Sequence, residues 1–160
     1  MMLRTILAAL ALLPIFGEDR PVTPEKQRQL DAISQAVRSA AKTPDEAAFL
    51  LAFGWHESNF SLRIAQGRCH PHECDRGKAR SPWQLHRVGM SEDRWAKMQG
   101  VEHVNEQAAE AMNRARWALR QCSKDRIRGA FRVLSGRGCQ YPLKGEAERV
   151  ETYRRVRAKL

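Results

Sequence analysis

TPDEAAFLLAFGWHESNF, residues 43–60, is the stretch whose reading decides the fold. Thr43 suits a helix N-cap, Pro44 its first turn, and Glu46, three residues after the cap, completes a capping box. Ala47, Ala48, Leu50, Leu51 and Phe53 then leave little polar face, so this helix is expected at the centre of the fold, running to about Glu57. Its last residue is the notable one. A carboxylate at the negative end of a helix, flanked by Phe53, Trp55 and Phe60, is in surroundings that disfavour ionisation, which a general acid needs near neutral pH. The plain alternative is a surface glutamate that only ends a helix.

Outward from this segment the chain reads as helices. Upstream, Pro24 opens a helix expected to reach Lys42, with Leu30, Ile33, Ala36, Val37 and Ala40 recurring every three or four residues. Downstream, residues 61–90 lack sustained periodicity and contain Gly67, Pro71, Gly77, Pro82 and Gly89, which marks a long loop region with room for a short hairpin. Ser91 caps a short helix ending near Gly100. Further helices are expected over 103–122, 125–135 and 145–158. The fold class is therefore mainly α, with a trace of β at most.

The first 17 residues stand apart. Met1 to Arg4 form a short basic start, and Thr5–Gly17 is almost wholly apolar, too short to span a bilayer but suited to a secretory signal cleaved after Gly17. The alternatives are an uncleaved membrane anchor and a buried helix of the domain. We expect residues 1–17 to lie outside the fold and residues 18–160 to form one domain, exported to the periplasm or the extracellular space.

Export governs the reading of the four cysteines, Cys69, Cys74, Cys122 and Cys139. Nearness along the chain pairs Cys69 with Cys74 and Cys122 with Cys139, each closing a short loop in an oxidising compartment. Cys69-His70-Pro71-His72-Glu73-Cys74 also offers two thiols and two imidazoles, but its spacing is not that of a familiar zinc site, so no metal and no cofactor is expected. Lys and Arg number 28 against 18 Asp and Glu, and the resulting +10 attracts polyanions. An exported protein meets cell wall before nucleic acid.

A second cluster, Ser81-Pro82-Trp83-Gln84-Leu85-His86, follows about 25 residues after Glu57. It combines a small residue, an aromatic surface able to stack on a pyranose and an amide able to bond an N-acetyl group. Taken with Glu57-Ser58-Asn59-Phe60, it resembles the E-S-x-F and G-x-x-Q pattern of lysozyme-like lytic transglycosylases. Asn105 to Cys122 is similar to that family's following Asn- and Ala-rich helix. Gly129 to Gly138 resembles its Ala-x-x-Tyr-Asn-x-Gly-x-Gly element, and Glu151-Thr152-Tyr153 to Val156 resembles its terminal helix. The resemblance covers roughly residues 45–158.

The resemblance implies a lysozyme-like helical domain with a disulfide-pinned loop region, acting as a monomer on peptidoglycan glycan strands. No nucleic acid is implied, and contact with a membrane only through a retained N-terminal segment. Glu57 would be the catalytic residue, with Ser58, Phe60, Ser81, Trp83, Gln84, Gly136 and Tyr153 binding substrate. A lysozyme-type hydrolase and a non-catalytic wall-binding module are the alternatives. Two departures stand out. Val133-Leu134 replaces the family's Tyr-Asn pair, so the tyrosine hydroxyl is either lost or supplied by Tyr141 or Tyr153, and Ser81 replaces a glycine. Of the loop and post-loop acids Glu73, Asp75, Glu92 and Asp93, none offers itself as a compelling second carboxylate.

Overall fold

A computed structural model describes residues 2–14 and 19–160. Its helices are α1 (Met2–Leu10), α2 (Pro24–Ala40), α3 (Pro44–Ser58), α4 (Leu62–Ala65), α5 (Glu92–Ala96), α6 (Val104–Gln121), α7 (Arg126–Leu134) and α8 (Glu146–Arg157). Two short strands, β1 (Ala79–Arg80) and β2 (Leu85–His86), pair antiparallel with Ala79 opposite His86 and Arg80 opposite Leu85. The mainly helical class and the hairpin within 61–90 are as the sequence led us to expect.

Local chemistry sets the ends of the two long N-terminal helices. Thr23 accepts from the Lys26 amide at the start of α2, and Pro24 follows it. Thr43 accepts from the Glu46 amide at 3.2 Å, as a capping box requires. The return bond is displaced by one residue, because Glu46 Oε2 accepts from the Lys42 amide rather than from that of Thr43. The same carboxylate receives Nε and Nη2 of Arg116 from α6, and Arg116 Nη2 also donates to the Ala40 carbonyl. One guanidinium thus fastens the end of α2, the start of α3 and the middle of α6 together.

Helix α3 runs through the centre, with every residue from Ala47 to Gly54 buried. It packs on α8, α6 and α2, while α6 also packs on α2 and α7. Phe49 of α3 stacks on Phe131 of α7 with ring centroids 4.7 Å apart. Both expected disulfides are formed, Cys69–Cys74 with sulfurs 2.06 Å apart and Cys122–Cys139 with sulfurs 1.98 Å apart. The second ties the end of α6 to the chain beyond α7.

In the chain as given, α1 packs against α2 and α8, with Ile6 and Ala9 fully buried and Leu10 and, just beyond the helix, Leu13 nearly so. An apolar run of this kind buries itself wherever a helical pair leaves an apolar face open. Trp55 of α3 adds a polar tie by donating from Nε1 to the Pro14 carbonyl. The expected cleavage point after Gly17 lies outside the described residues. Among the described residues, no helix is long and apolar enough to cross a membrane.

Candidate active site

Helix α3 ends in two consecutive left-handed residues, Asn59 at φ 50° and Phe60 at φ 52°. This conformation is costly for residues with a side chain, Phe above all, and must be held by its surroundings. Ser58 does the holding. Its hydroxyl donates to the Pro82 carbonyl at 2.7 Å and accepts from the Phe60 amide, joining the end of α3 to the Ser81–Gln84 turn. That turn is strained in the same way, with Ser81 at φ 71° and Gln84 at φ 48°. Two strained segments meet beside Glu57.

They border an open groove of about 880 Å³. Glu57 and Phe53 line it from α3, His72, Glu73 and Asp75 from the disulfide loop, and Ala79, Gln84, His86 and Val88 from the hairpin region. Glu110, Arg114 and Trp117 enter from α6, Val133, Leu134, Ser135 and Gly136 from the end of α7, and Arg149 from α8. Of the residues singled out in the sequence, the groove therefore collects Glu57, Gln84 and Gly136.

The others hold this site up or lie elsewhere. Trp83 is fully buried and donates from Nε1 to the Leu50 carbonyl of α3 at 2.9 Å, so it cannot stack on a sugar. Phe60 is 2% exposed and packs edge-on against Trp83. Ser81, also buried, accepts from the Trp83 amide, and Ser58 is buried in the bonds just described. These four are scaffold rather than contact residues, because the apolar centre took the aromatic rings that the sequence left free to face either way. Tyr153 lines a separate cavity of about 530 Å³ and donates to Asp45, and burial together with Asp45 pushes its phenol up to about 12. Neither Tyr153 nor Tyr141 borders the groove, so neither supplies the missing tyrosine hydroxyl there.

Trp117 and Arg149 are lining residues that the sequence reading did not single out. Trp117, 51% exposed, projects from α6 and is the aromatic surface the groove offers to a ligand. A large aromatic off the apolar stripe of its helix was the signal in the sequence. Arg149 donates from Nη1 to Glu57 Oε1 at 2.7 Å, from a position 92 residues further along the chain. Glu57 thus faces a guanidinium. Its neighbour His56 is pushed down to about 4 by burial, then by the nearby Arg149 charge, and is close to Thr152 Oγ1 at 2.9 Å. His56 is a neutral structural residue at physiological pH.

The remaining acids of the groove are largely engaged. Glu73 takes Nη1 and Nη2 of Arg63, each at 2.6 Å, and the His70 amide, and that guanidinium holds its carboxyl down at about 2. Glu110, overlooked in the sequence, is bound by Arg94 and Arg114. Glu92 and Asp93 do not line the groove. Both thiols of the Cys69–Cys74 loop are consumed by their bond, so the thiolate ligands of a zinc site are not present there. Gln84 keeps its amide near the groove wall by donating to the Ser81 carbonyl. No family model, curated protein or solved structure matches this chain.

Proposed function

We propose that the protein is an exported, lysozyme-like lytic transglycosylase that cleaves the β-1,4 bond between N-acetylmuramic acid and N-acetylglucosamine in peptidoglycan. The observation that carries this reading is convergence. Glu57, the Gln84 turn and the Val133–Gly136 segment lie far apart in the chain, and each is an element of the sequence resemblance, yet all border one groove. Backbone strain on both sides of Glu57 supports it, since such strain persists where the surroundings are built to hold a site. The two disulfides fit an oxidising, extracytoplasmic setting.

In this mechanism Glu57 gives its proton to the glycosidic oxygen as the bond from that oxygen to the muramyl C1 breaks, and N-acetylglucosamine leaves as an alcohol. The muramyl 6-hydroxyl oxygen then bonds to C1, and its proton returns to Glu57. No water is consumed, and the product carries a 1,6-anhydro ring. A hydrolase of the two-carboxylate kind needs a second acid at a defined distance. Glu73 and Glu110 are held by arginines, which leaves Asp75 of the disulfide loop as the other acid in the groove, and the intramolecular route needs no second acid. The attacking hydroxyl belongs to the same sugar, so little entropy is lost in bringing it up.

One observation favours a second reading, a wall-binding module without catalysis. Glu57 Oε1 is occupied by Nη1 of Arg149 at 2.7 Å rather than left open to a substrate oxygen. The deciding experiment is incubation of the protein and of its Glu57→Gln variant with purified peptidoglycan, followed by mass analysis of the soluble fraction. The expected result is anhydromuramyl products, one water lighter than hydrolysis products, from the wild type alone. Reducing-end products would shift the reading to a lysozyme. Wall binding by both proteins with no soluble product would leave the binding module.

A further inference from the structure

We propose that Arg149 is the receptor for a carboxylate of the substrate, and that this carboxylate draws the guanidinium away from Glu57. The proposal rests on the reading of Glu57 as the acid and gives its ion pair a purpose.

The argument begins with unmet donors. A guanidinium carries five N–H donors. Among the described residues, the hydrogen bond made by the Arg149 side chain is the one from Nη1 to Glu57. Its side chain is 16% exposed, and what remains accessible lines the groove. A cation this sheltered ordinarily fills its donor set with carboxylates or carbonyls. The nearby arginines do so. Arg114 binds Glu110 and the carbonyls of His86 and Val88, while Arg132 binds Glu146 and the carbonyl of Cys139. Arg149 is held in the groove wall with its fork incompletely used.

A planar fork of this kind is matched by a carboxylate, which can accept two parallel bonds where Glu57 Oε1 now accepts one. The substrate class already proposed carries such groups beside the scissile bond, either as the free lactyl carboxylate of a peptide-stripped muramyl residue or as carboxylates of its stem peptide. Either one competes with Glu57 for the same cation. Once the guanidinium turns to the ligand, Glu57 Oε1 loses the donor that occupies it and is open to the glycosidic oxygen. An uncharged glycan offers no such exchange. Arg149 therefore selects charged glycans and couples their arrival to the state of the acid.

The test measures binding in the Glu57→Gln background, where turnover is removed and the competing carboxylate is gone. The probes are a peptide-free muramyl-containing tetrasaccharide, its peptide-bearing counterpart and a chitin tetrasaccharide of equal length. Tighter binding of a carboxylate-bearing probe than of chitin is expected, by about tenfold or more. Whichever of the two anionic probes shows the larger gain identifies the source of the carboxylate. Adding Arg149→Gln should bring the ratio close to one, and Arg149→Lys should restore part of it. Equal affinities in the Glu57→Gln protein, or a preference that survives Arg149→Gln, would overturn the proposal, as would failure of all three probes to bind. In the otherwise wild-type enzyme, Arg149→Gln should raise KM for wall more than it lowers kcat. Lysis by Glu57→Gln itself would sink the acid assignment instead, and the binding ratios would still judge Arg149.

Discussion

The indole nitrogen of Trp83 and the carbonyl of Leu50 are 2.9 Å apart, a bond that fixes the hairpin turn onto the central helix from within the core. What makes the approach possible is Gly54. A Cβ there would lie 2.8 Å from Trp83 Nε1 and 2.5 Å from Phe60 Cε1, closer than real contacts allow. We expect Trp83→Phe to lower stability by about 1–3 kcal/mol through loss of a buried bond and some packing. Gly54→Ala should cost a similar amount by overpacking, about 1–3 kcal/mol. Urea unfolding of both variants measures this, and a midpoint equal to wild type for Trp83→Phe would show that the indole is not anchored.

Trp117 is expected to behave in the opposite way. It is half exposed and lines the groove, so Trp117→Ala should leave the urea midpoint nearly unchanged while weakening glycan binding. Stacking of a sugar on an indole leads us to expect a loss of roughly 1–2 kcal/mol, read as a rise in Kd by titration calorimetry. Unchanged affinity would remove Trp117 from the site.

Opening the Cys122–Cys139 bond by a double Cys→Ser substitution should cost on the order of 3 kcal/mol in the chain-entropy account, since the two residues lie 17 apart in sequence. Gly129→Ala offers an independent check, because its Cβ would fall 2.3 Å from Cys122 Cβ and 2.5 Å from Cys122 Sγ, and the residue-122 side chain can turn away only when the disulfide is absent. That variant should destabilise the disulfide form more than the double serine form. Equal effects in the two backgrounds would show that the helix adjusts freely around the bond.

Acid should weaken the fold in two stages. His56 is held near 4 against an ordinary 6.5, so the unfolded chain takes up that proton first. Its contribution is complete above about 6.5 and is lost as pH falls toward 4. Glu146, bound by Arg132 and Arg128, is held near 2 against 4.5, and its contribution is lost as pH falls from 4.5 toward 2. His56→Gln should flatten the first stage of a plot of Tm against pH and leave the second intact. A first stage of unchanged depth in the variant would assign it to another group.

Much of this molecule was legible because it is local. The Thr43 cap, the apolar run to Gly54 and the two disulfides each depend on residues close together in the chain, and each formed. Glu57 and Gln84 line one groove. Trp83 did not face the groove, because its placement depends on the absence of a side chain at Gly54, a relationship across 29 residues that no periodicity announces. Arg149 was invisible for a similar reason, being one arginine among several on a polar helix until packing set that helix against α3. The burial of α1 depended on the apolar face that α2 and α8 leave open, which is a property of their packing rather than of the run itself.

Lys26 has one further consequence, for how far the chain can be trimmed. Its ammonium is 1% exposed, and it donates to Asp19 Oδ2 at 2.9 Å and to the Phe60 carbonyl. Asp19 Oδ2 also accepts from the Leu62 amide. Burial pushes this lysine below its ordinary range, and Asp19 is what opposes the push. A protease that removes everything up to residue 18 leaves this arrangement whole. One that nibbles a single residue further strands a cation under the end of α3, at a cost of about 3–5 kcal/mol, beside the strained residues that follow Glu57. A ragged amino terminus would therefore yield two populations that differ by one aspartate and separate on heating, the shorter unfolding first and losing the shape of the Glu57 turn.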